Sequence, residues 1–230
     1  GVASARAEIA IATVGPMTGA KAWMGEQYKW GVEMAVTKIN EHGGLLGQQL
    51  RLIIGDDACD AAQAVSVANK LAADGVVFVA GHYCSHASIS ASKVYEEAGI
   101  VMISPSSTSP ILTDEGGANV FRVCGRDDQQ GAIAGDYLAD HWQGAEIAIL
   151  NDQTIYGRGL AEETAKQLNK RGVTEALNLS YAPDQIDYSP LISTLQAANI
   201  GVVYVGGYSA EVGLIVRQAR NQGLGAQFVS

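Results

Sequence analysis

Basic residues are scarce in this chain of 230 residues: 15 Lys and Arg stand against 24 Asp and Glu, a formal charge of −9 at pH 7. Nucleic-acid binding rests on clustered cations, and the few present are dispersed, which argues against a nucleic-acid partner. Long apolar runs are missing too. None approaches the roughly 18 to 20 residues that a bilayer-spanning helix needs, so no direct membrane insertion is expected. Catalytic signatures are also lacking, for there is no G-x-S-x-G, H-E-x-x-H or P-loop. Asp56, Asp57 and Asp60 with His82 and His86 match no common metal-ligand spacing. Neither enzyme activity, nor a metal, nor a cofactor is therefore expected. Asp56 and Asp57 are expected to hydrogen-bond loop backbone, Asp60 to cap the helix from Ala61, and both histidines to sit at a rim.

What is present is a regular alternation. With 47% hydrophobic residues the chain can bury a full core. Apolar, β-branched runs predict strands at residues 9–14, 50–55, 76–80, 100–103, 120–123, 147–150, 176–181, 202–205 and 227–229. Between them the period becomes helical, as in Tyr28, Val32, Ala35, Val36 and Ile39, in Ala64, Val67, Ala68 and Leu71, and in Val212, Ile215, Val216 and Ala219. Gly43-Gly44, Gly75, Gly99, Gly172 and Gly223 read as helix stops, and Ser189-Pro190 as an N-cap and first turn. Strand, helix, strand in this order predicts an α/β fold with parallel sheets covered on both faces. Nine strands are many for one open sheet, and the polar Arg122-Val123-Cys124-Gly125-Arg126-Asp127 segment interrupts the alternation. Two Rossmann-like lobes are expected, residues 8–124 and 125–230. Residues 1–7 contain Ala5-Arg6-Ala7, which has the small-x-small form of a signal-peptidase site, and they are read as a signal-peptide remnant or a tag.

Two strand ends carry chemistry. Gly81-His82-Tyr83-Cys84-Ser85 and Ser104-Pro105-Ser106-Ser107-Thr108 each place small hydroxyl residues where a helix is expected to begin. The first N–H groups of a helix lack internal partners and sit at the positive end of its dipole, so they hold an anion. Ser85 and Thr108 would add hydroxyl donors. Neither segment contains Lys or Arg, which suits a neutral zwitterion better than a phosphate ester. Ligands of open α/β sheets bind at the carboxyl ends of the strands, and Tyr156 and Tyr208 also follow strand ends.

The three cysteines divide two and one. Cys59 and Cys84 each follow a predicted strand, and spacing alone is satisfied by a disulfide or by two buried thiols. Cys124 reads as a buried strand thiol.

Several segments together resemble the periplasmic binding proteins for leucine, isoleucine and valine, of the type I solute-binding fold. The resemblance runs through Val14-Gly15-Pro16-Met17-Thr18-Gly19, Asn40-Glu41-His42-Gly43-Gly44, Asp56-Asp57-Ala58-Cys59-Asp60, Gly81-His82-Tyr83-Cys84-Ser85, Tyr95-Glu96-Glu97-Ala98-Gly99-Ile100, Tyr156-Gly157-Arg158-Gly159-Leu160, Gly206-Gly207-Tyr208 and Arg217-Gln218-Ala219-Arg220. It implies a disulfide between Cys59 and Cys84 beside the ligand, and hence an oxidising, periplasmic or otherwise extracytoplasmic location. It implies that Ser85 and Thr108 hold a ligand α-carboxylate, that the Ser106 carbonyl accepts from the α-amino group, and that Tyr156 and Tyr208 close over the ligand as the lobes hinge together. The implied partners are an amino acid, branched-chain aliphatic or another neutral one, and the membrane permease of an ABC transporter. The alternative is a ligand-sensing domain of a receptor or amide regulator with the same fold. Departures bear on specificity: Tyr83 stands where branched-chain binders carry an aliphatic residue, Trp23-Met24 where they carry a tyrosine, and Ser106 and Ser107 where alanines are common. The chain stops at Phe228-Val229-Ser230, before the acidic residue that would pair with the ligand ammonium. If that ending is a truncation, the first lobe lacks its late helices and an apolar sheet face is expected to lie partly bare, with weak stability or self-association as the result.

Overall fold

A computed structural model of the protein describes residues 8–230. Residues 1–7, with Ala5-Arg6-Ala7, lie outside the described residues. The chain divides into two compact units between Cys124 and Gly125.

The first unit holds a parallel sheet of β1 (Ile9–Gly15), β2 (Leu50–Asp56), β3 (Phe78–Gly81), β4 (Val101–Ser104) and β5 (Val120–Arg122), in the order β2-β1-β3-β4-β5. Its helices are α1 (Ala22–Glu41), α2 (Ala61–Ala73), α3 (Ser85–Ala98) and the single turn α4 (Ile111–Asp114). Side chains alternate across the strands, so Ala12, Val14, Val79 and Met102 share one face and are fully buried on the side of α2 and α3. The opposite face is covered only in part. Val32 and Val36 of α1 pack on Ile9, Ile11, Leu50 and Leu52, while Val101, Phe121 and Val123 are exposed. Ala35 and Ile39, read from periodicity as part of the inward stripe of α1, are exposed as well. The stripe is narrower than the period suggests because α1 lies mainly over β1 and β2, at one side of the sheet.

The second unit is covered on both faces. Its sheet runs β7-β6-β8-β9, from β6 (Ile147–Asn151), β7 (Leu177–Ser180), β8 (Val202–Gly206) and β9 (Gln227–Val229), all parallel. Ile147, Ile149, Val202 and Tyr204 pack with residues of α5 (Asp127–His141) and α6 (Ile155–Lys170). Ala148, Leu150, Val203 and Val205 pack with α7 (Ser189–Ala197) and α8 (Ser209–Asn221). Every residue of β6 and β8 is buried, which is why both read as continuous apolar runs.

All nine predicted strands are found among the described residues, with ends shifted by at most two residues. The first residue predicted for β3, Val76, closes the end of α2 instead, its N–H donating to the Leu71 carbonyl. All the predicted glycine stops have positive φ. Asp60 caps α2 by accepting from Gln63 N at 2.7 Å. Ser189 is not a cap: it is the first residue of α7, Tyr188 is the N-cap, and Asp187 accepts the Ser189 N–H.

Candidate functional site

In the first sheet the strand order reverses between β1 and β3, the place where a crevice opens at the carboxyl edge of such folds. Glycine makes a close approach possible there. A Cβ on Gly25 would lie 2.2 Å from the Pro16 carbonyl oxygen, so only glycine lets the first turn of α1 rest on the loop after β1. That turn also carries Trp23, about half exposed at 53%, and the half-buried Met24. One turn later Tyr28 lies over the end of β1, its ring 3.4 Å from where a Cβ of Gly15 would be.

A buried polar chain braces this edge. His82 donates from Nδ1 to Asp57 Oδ2 at 2.7 Å, and its Nε2 shares a hydrogen bond with the Tyr95 hydroxyl at 3.0 Å. All three residues have no solvent exposure. Asp57 Oδ1 accepts from Cys59 N at 2.8 Å. His82 is therefore not the rim residue expected from sequence. It is a core strut tying the end of β2 to the end of β3, and burial, with the Asp57 charge, pushes the Tyr95 hydroxyl pKa well up. Beside it Cys59 and Cys84 are joined in a disulfide, with Cα atoms 5.5 Å apart. His86 lies close enough to make a three-residue ligand set with them, but sulfurs bonded to each other offer no thiolate to a metal.

The loop after β4 is held as firmly. Ser104 Oγ donates to the His82 carbonyl at 2.8 Å and accepts from Ser107 N at 2.9 Å. Ser107 is fully buried and turned inward. Its hydroxyl bonds the Tyr83 carbonyl at 2.9 Å and pairs with Ser88 Oγ at 2.6 Å, so it serves as a brace. Arg122 donates to the carbonyls of Ser107, Ser109 and Pro110 and to the Thr113 hydroxyl. The expected second helix start does not form: residues 105–109 are loop, and α4 begins only at Ile111 after an N-cap Pro110. Side-chain and guanidinium bonds have taken the place of a helical first turn. Cys124 is half-buried and follows β5 rather than lying in it, with its thiol 3.6 Å from the Ser107 carbonyl.

Of the sequence candidates, the structure gathers Tyr83, Cys84, Ser85, Ser106, Ser107 and Thr108 after the adjacent strands β3 and β4. Cys84 is the N-cap of α3 without a side-chain cap bond, leaving the N–H groups of that first turn without a side-chain cap. Ser85 Oγ accepts from Ser109 N at 3.3 Å and keeps its own proton to donate. The Ser106 and Tyr28 hydroxyls are hydrogen-bonded, and the Tyr28 and Tyr83 rings meet edge to face with centroids 6.0 Å apart. Burial raises the pKa of both phenols, so both stay neutral donors at physiological pH. Tyr28 was read from sequence only as a helix-face residue. Asp56 shapes the neighbouring loop. Burial alone would raise its pKa, yet bonds from the Thr18 hydroxyl and from the N–H groups of Ala58, Met17 and Thr18 hold it below the usual carboxylate range.

The second unit repeats the pattern at its own reversal, between β6 and β8. Tyr156, in the first turn of α6, and Tyr208, the N-cap of α8, place their ring centroids 5.1 Å apart. Thr154 caps α6 by accepting from Gly157 N at 3.0 Å, and Asp152 Oδ1 accepts from Thr154 N and Oγ1.

Two α/β units, each built on a parallel sheet with hydroxyl or aromatic side chains gathered at its strand-order reversal, have the architecture in which ligands bind at the carboxyl ends of the strands. A family model described as periplasmic binding protein matches residues 8–230, and the chain belongs to that family, one of solute-binding proteins rather than enzymes. It is 48% identical over 227 residues to a Leu/Ile/Val-binding protein homolog 1 of Brucella suis, covering 99% of this chain and 61% of the relative. It is 43% identical over 221 residues to a leucine-, isoleucine-, valine-, threonine- and alanine-binding protein of Pseudomonas aeruginosa, covering 96% and 59%. Among solved structures, the substrate binding protein LivJ of a branched-chain amino acid transporter from Streptococcus pneumoniae, in complex with isoleucine, superposes with a TM-score of 0.86 at 26% identity, covering 96% of this chain and 63% of that one. The chain thus spans about three fifths of the length of the relatives it matches. Among the described residues no helix is long and apolar enough to cross a membrane.

Proposed function

We propose that this chain belongs to an extracytoplasmic receptor that captures a neutral α-amino acid and delivers it to an ABC permease. The observation that carries the proposal is the first turn of α3, which starts at the strand-order reversal with no side-chain cap and with Ser85 as its first residue. An α-carboxylate placed there receives charge-assisted bonds from backbone N–H groups and the Ser85 hydroxyl. Thr108 is a second hydroxyl donor in the neighbouring loop, and the Ser106 carbonyl is the acceptor for the ammonium group. Ser107 and Arg122 act indirectly by holding that loop. Arg122, the last residue of β5, is engaged by carbonyl oxygens of that loop, which leaves the site suited to a zwitterion rather than to a phosphate. The tyrosine pair of the second unit is the aromatic surface proposed to cover the bound ligand. A disulfide between Cys59 and Cys84 fits an oxidising compartment.

Isothermal calorimetry of the full-length protein with the neutral amino acids tests the proposal. Binding of at least one is expected, and Ser85→Ala should weaken it by about 1–3 kcal/mol by leaving the carboxylate short of a donor. Affinity unchanged in that variant would remove Ser85 as the anchor.

A further inference from the structure

We infer that Tyr28 is a specificity-determining residue of this site: with Ser106 and Tyr83 it reads the ligand side chain and favours a small side chain bearing a hydroxyl or carboxamide over an aliphatic one of the same size. The inference rests on the amino-acid-binding reading above and narrows the class of ligand.

Tyr28 belongs to α1, yet its ring covers the end of β1, its edge meets Tyr83 after β3, and its hydroxyl reaches Ser106 after β4. One side chain therefore spans the three strand ends at and next to the reversal of strand order. Gly25, which seats the helix on the Pro16 loop, sets the depth at which it does so.

Ser104, Ser107 and Ser88 direct their hydroxyls to the carbonyls of His82 and Tyr83 or to each other, and Ser85 accepts from Ser109 N. Among the described residues, the Tyr28 and Ser106 hydroxyls bond only each other. The pair has two protons and uses one between its members, so one donor and several lone pairs remain for a ligand. A threonine or asparagine side chain can use them. The side chain of valine or leucine, nearly the same in shape, would cover them and leave a polar pair desolvated without a partner. The burial that keeps both phenols protonated leaves the donor in place across the physiological range.

Space acts in the same direction. Two phenol rings edge to face form a wall of fixed orientation.

The test uses near-isosteric ligand pairs, threonine against valine and asparagine against leucine, titrated by calorimetry into the full-length wild type, Tyr28→Phe and Ser106→Ala. Tyr28→Phe keeps the ring and removes one hydroxyl; Ser106→Ala makes the same deletion from a loop position with little risk to folding. The wild type is expected to prefer the polar member of each pair. Either variant should move the threonine-to-valine ratio towards valine by about tenfold, and the double variant should do little more, because the two hydroxyls act as one unit. Wild-type binding with a preference that neither variant changes would overturn the role of Tyr28 while leaving the amino-acid reading intact. Failure of the wild type to bind any amino acid would remove that reading and this inference with it.

Discussion

At the scale of single residues, the site depends on side chains that no motif announces. His82 is the clearest. Its neighbours Tyr83, Cys84 and Ser85 point to a ligand, yet the imidazole itself is fully buried between Asp57 and Tyr95. Polar atoms in such surroundings are costly to leave unpaired. His82→Phe preserves bulk but leaves Asp57 Oδ2 and the Tyr95 hydroxyl without partners, and should lower unfolding stability by about 3 kcal/mol. Urea unfolding at pH 7 measures this, and an unchanged midpoint would show that the network adds nothing to stability. The place of Ser85, the proposed anchor, at the start of α3 was legible in the sequence because small hydroxyl residues at a strand-to-helix junction have a local meaning. The inward turn of Ser107 was not, since its partners, Ser88 and the Tyr83 carbonyl, lie 19 and 24 residues away in the chain. Arg122 was read as part of a linker for the same reason: its acceptors come from a loop that only the pairing of β4 with β5 brings near.

At the scale of elements, legibility was far higher. Strands that are buried on both faces and glycines with positive φ at helix ends write themselves into composition directly, and every predicted strand has its counterpart. The one expected helix that failed, after Ser104, shows the limit. Hydroxyl residues favour a helix start and an Asx- or ST-type loop alike, and a distant guanidinium decided between them. The disulfide belongs to this scale because it joins the loop ahead of α2 to the start of α3, closing a separation of 25 residues. On the chain-entropy account, closing a loop of that length stabilises the fold by about 3.5 kcal/mol. Reduction followed by alkylation of the two thiols should lower the first unit's unfolding free energy by about that amount. It should also weaken amino-acid binding, because Cys84 is the N-cap of the helix that presents Ser85. Binding that survives reduction while stability falls would assign the bridge to folding alone.

At the scale of the whole molecule, the two sheets differ in how they meet solvent. The second has helices on both faces, whereas the first leaves the β4 and β5 side of one face open, with Phe121 49% and Val123 75% exposed and an apolar groove lined by Tyr28, Val32, Phe78, Ala80, Ile103 and Val123. Burying one such side chain is worth about 1.5–3 kcal/mol, so several together form a patch that favours association over isolation in water. The edge strand β5 sits in the same patch, and unpaired strand edges add a route to pairing between copies. The 230-residue chain at tens of micromolar should therefore sediment as a concentration-dependent mixture that includes species heavier than its 24.0 kDa monomer. Phe121→Lys combined with Val123→Ser should restore the monomer without touching Ser85 or the disulfide, because both side chains are exposed and project away from the buried face beneath α2 and α3. A single 24.0 kDa species across the range, with no change on substitution, would mean that the open face is too small or too polar at its rim to drive association.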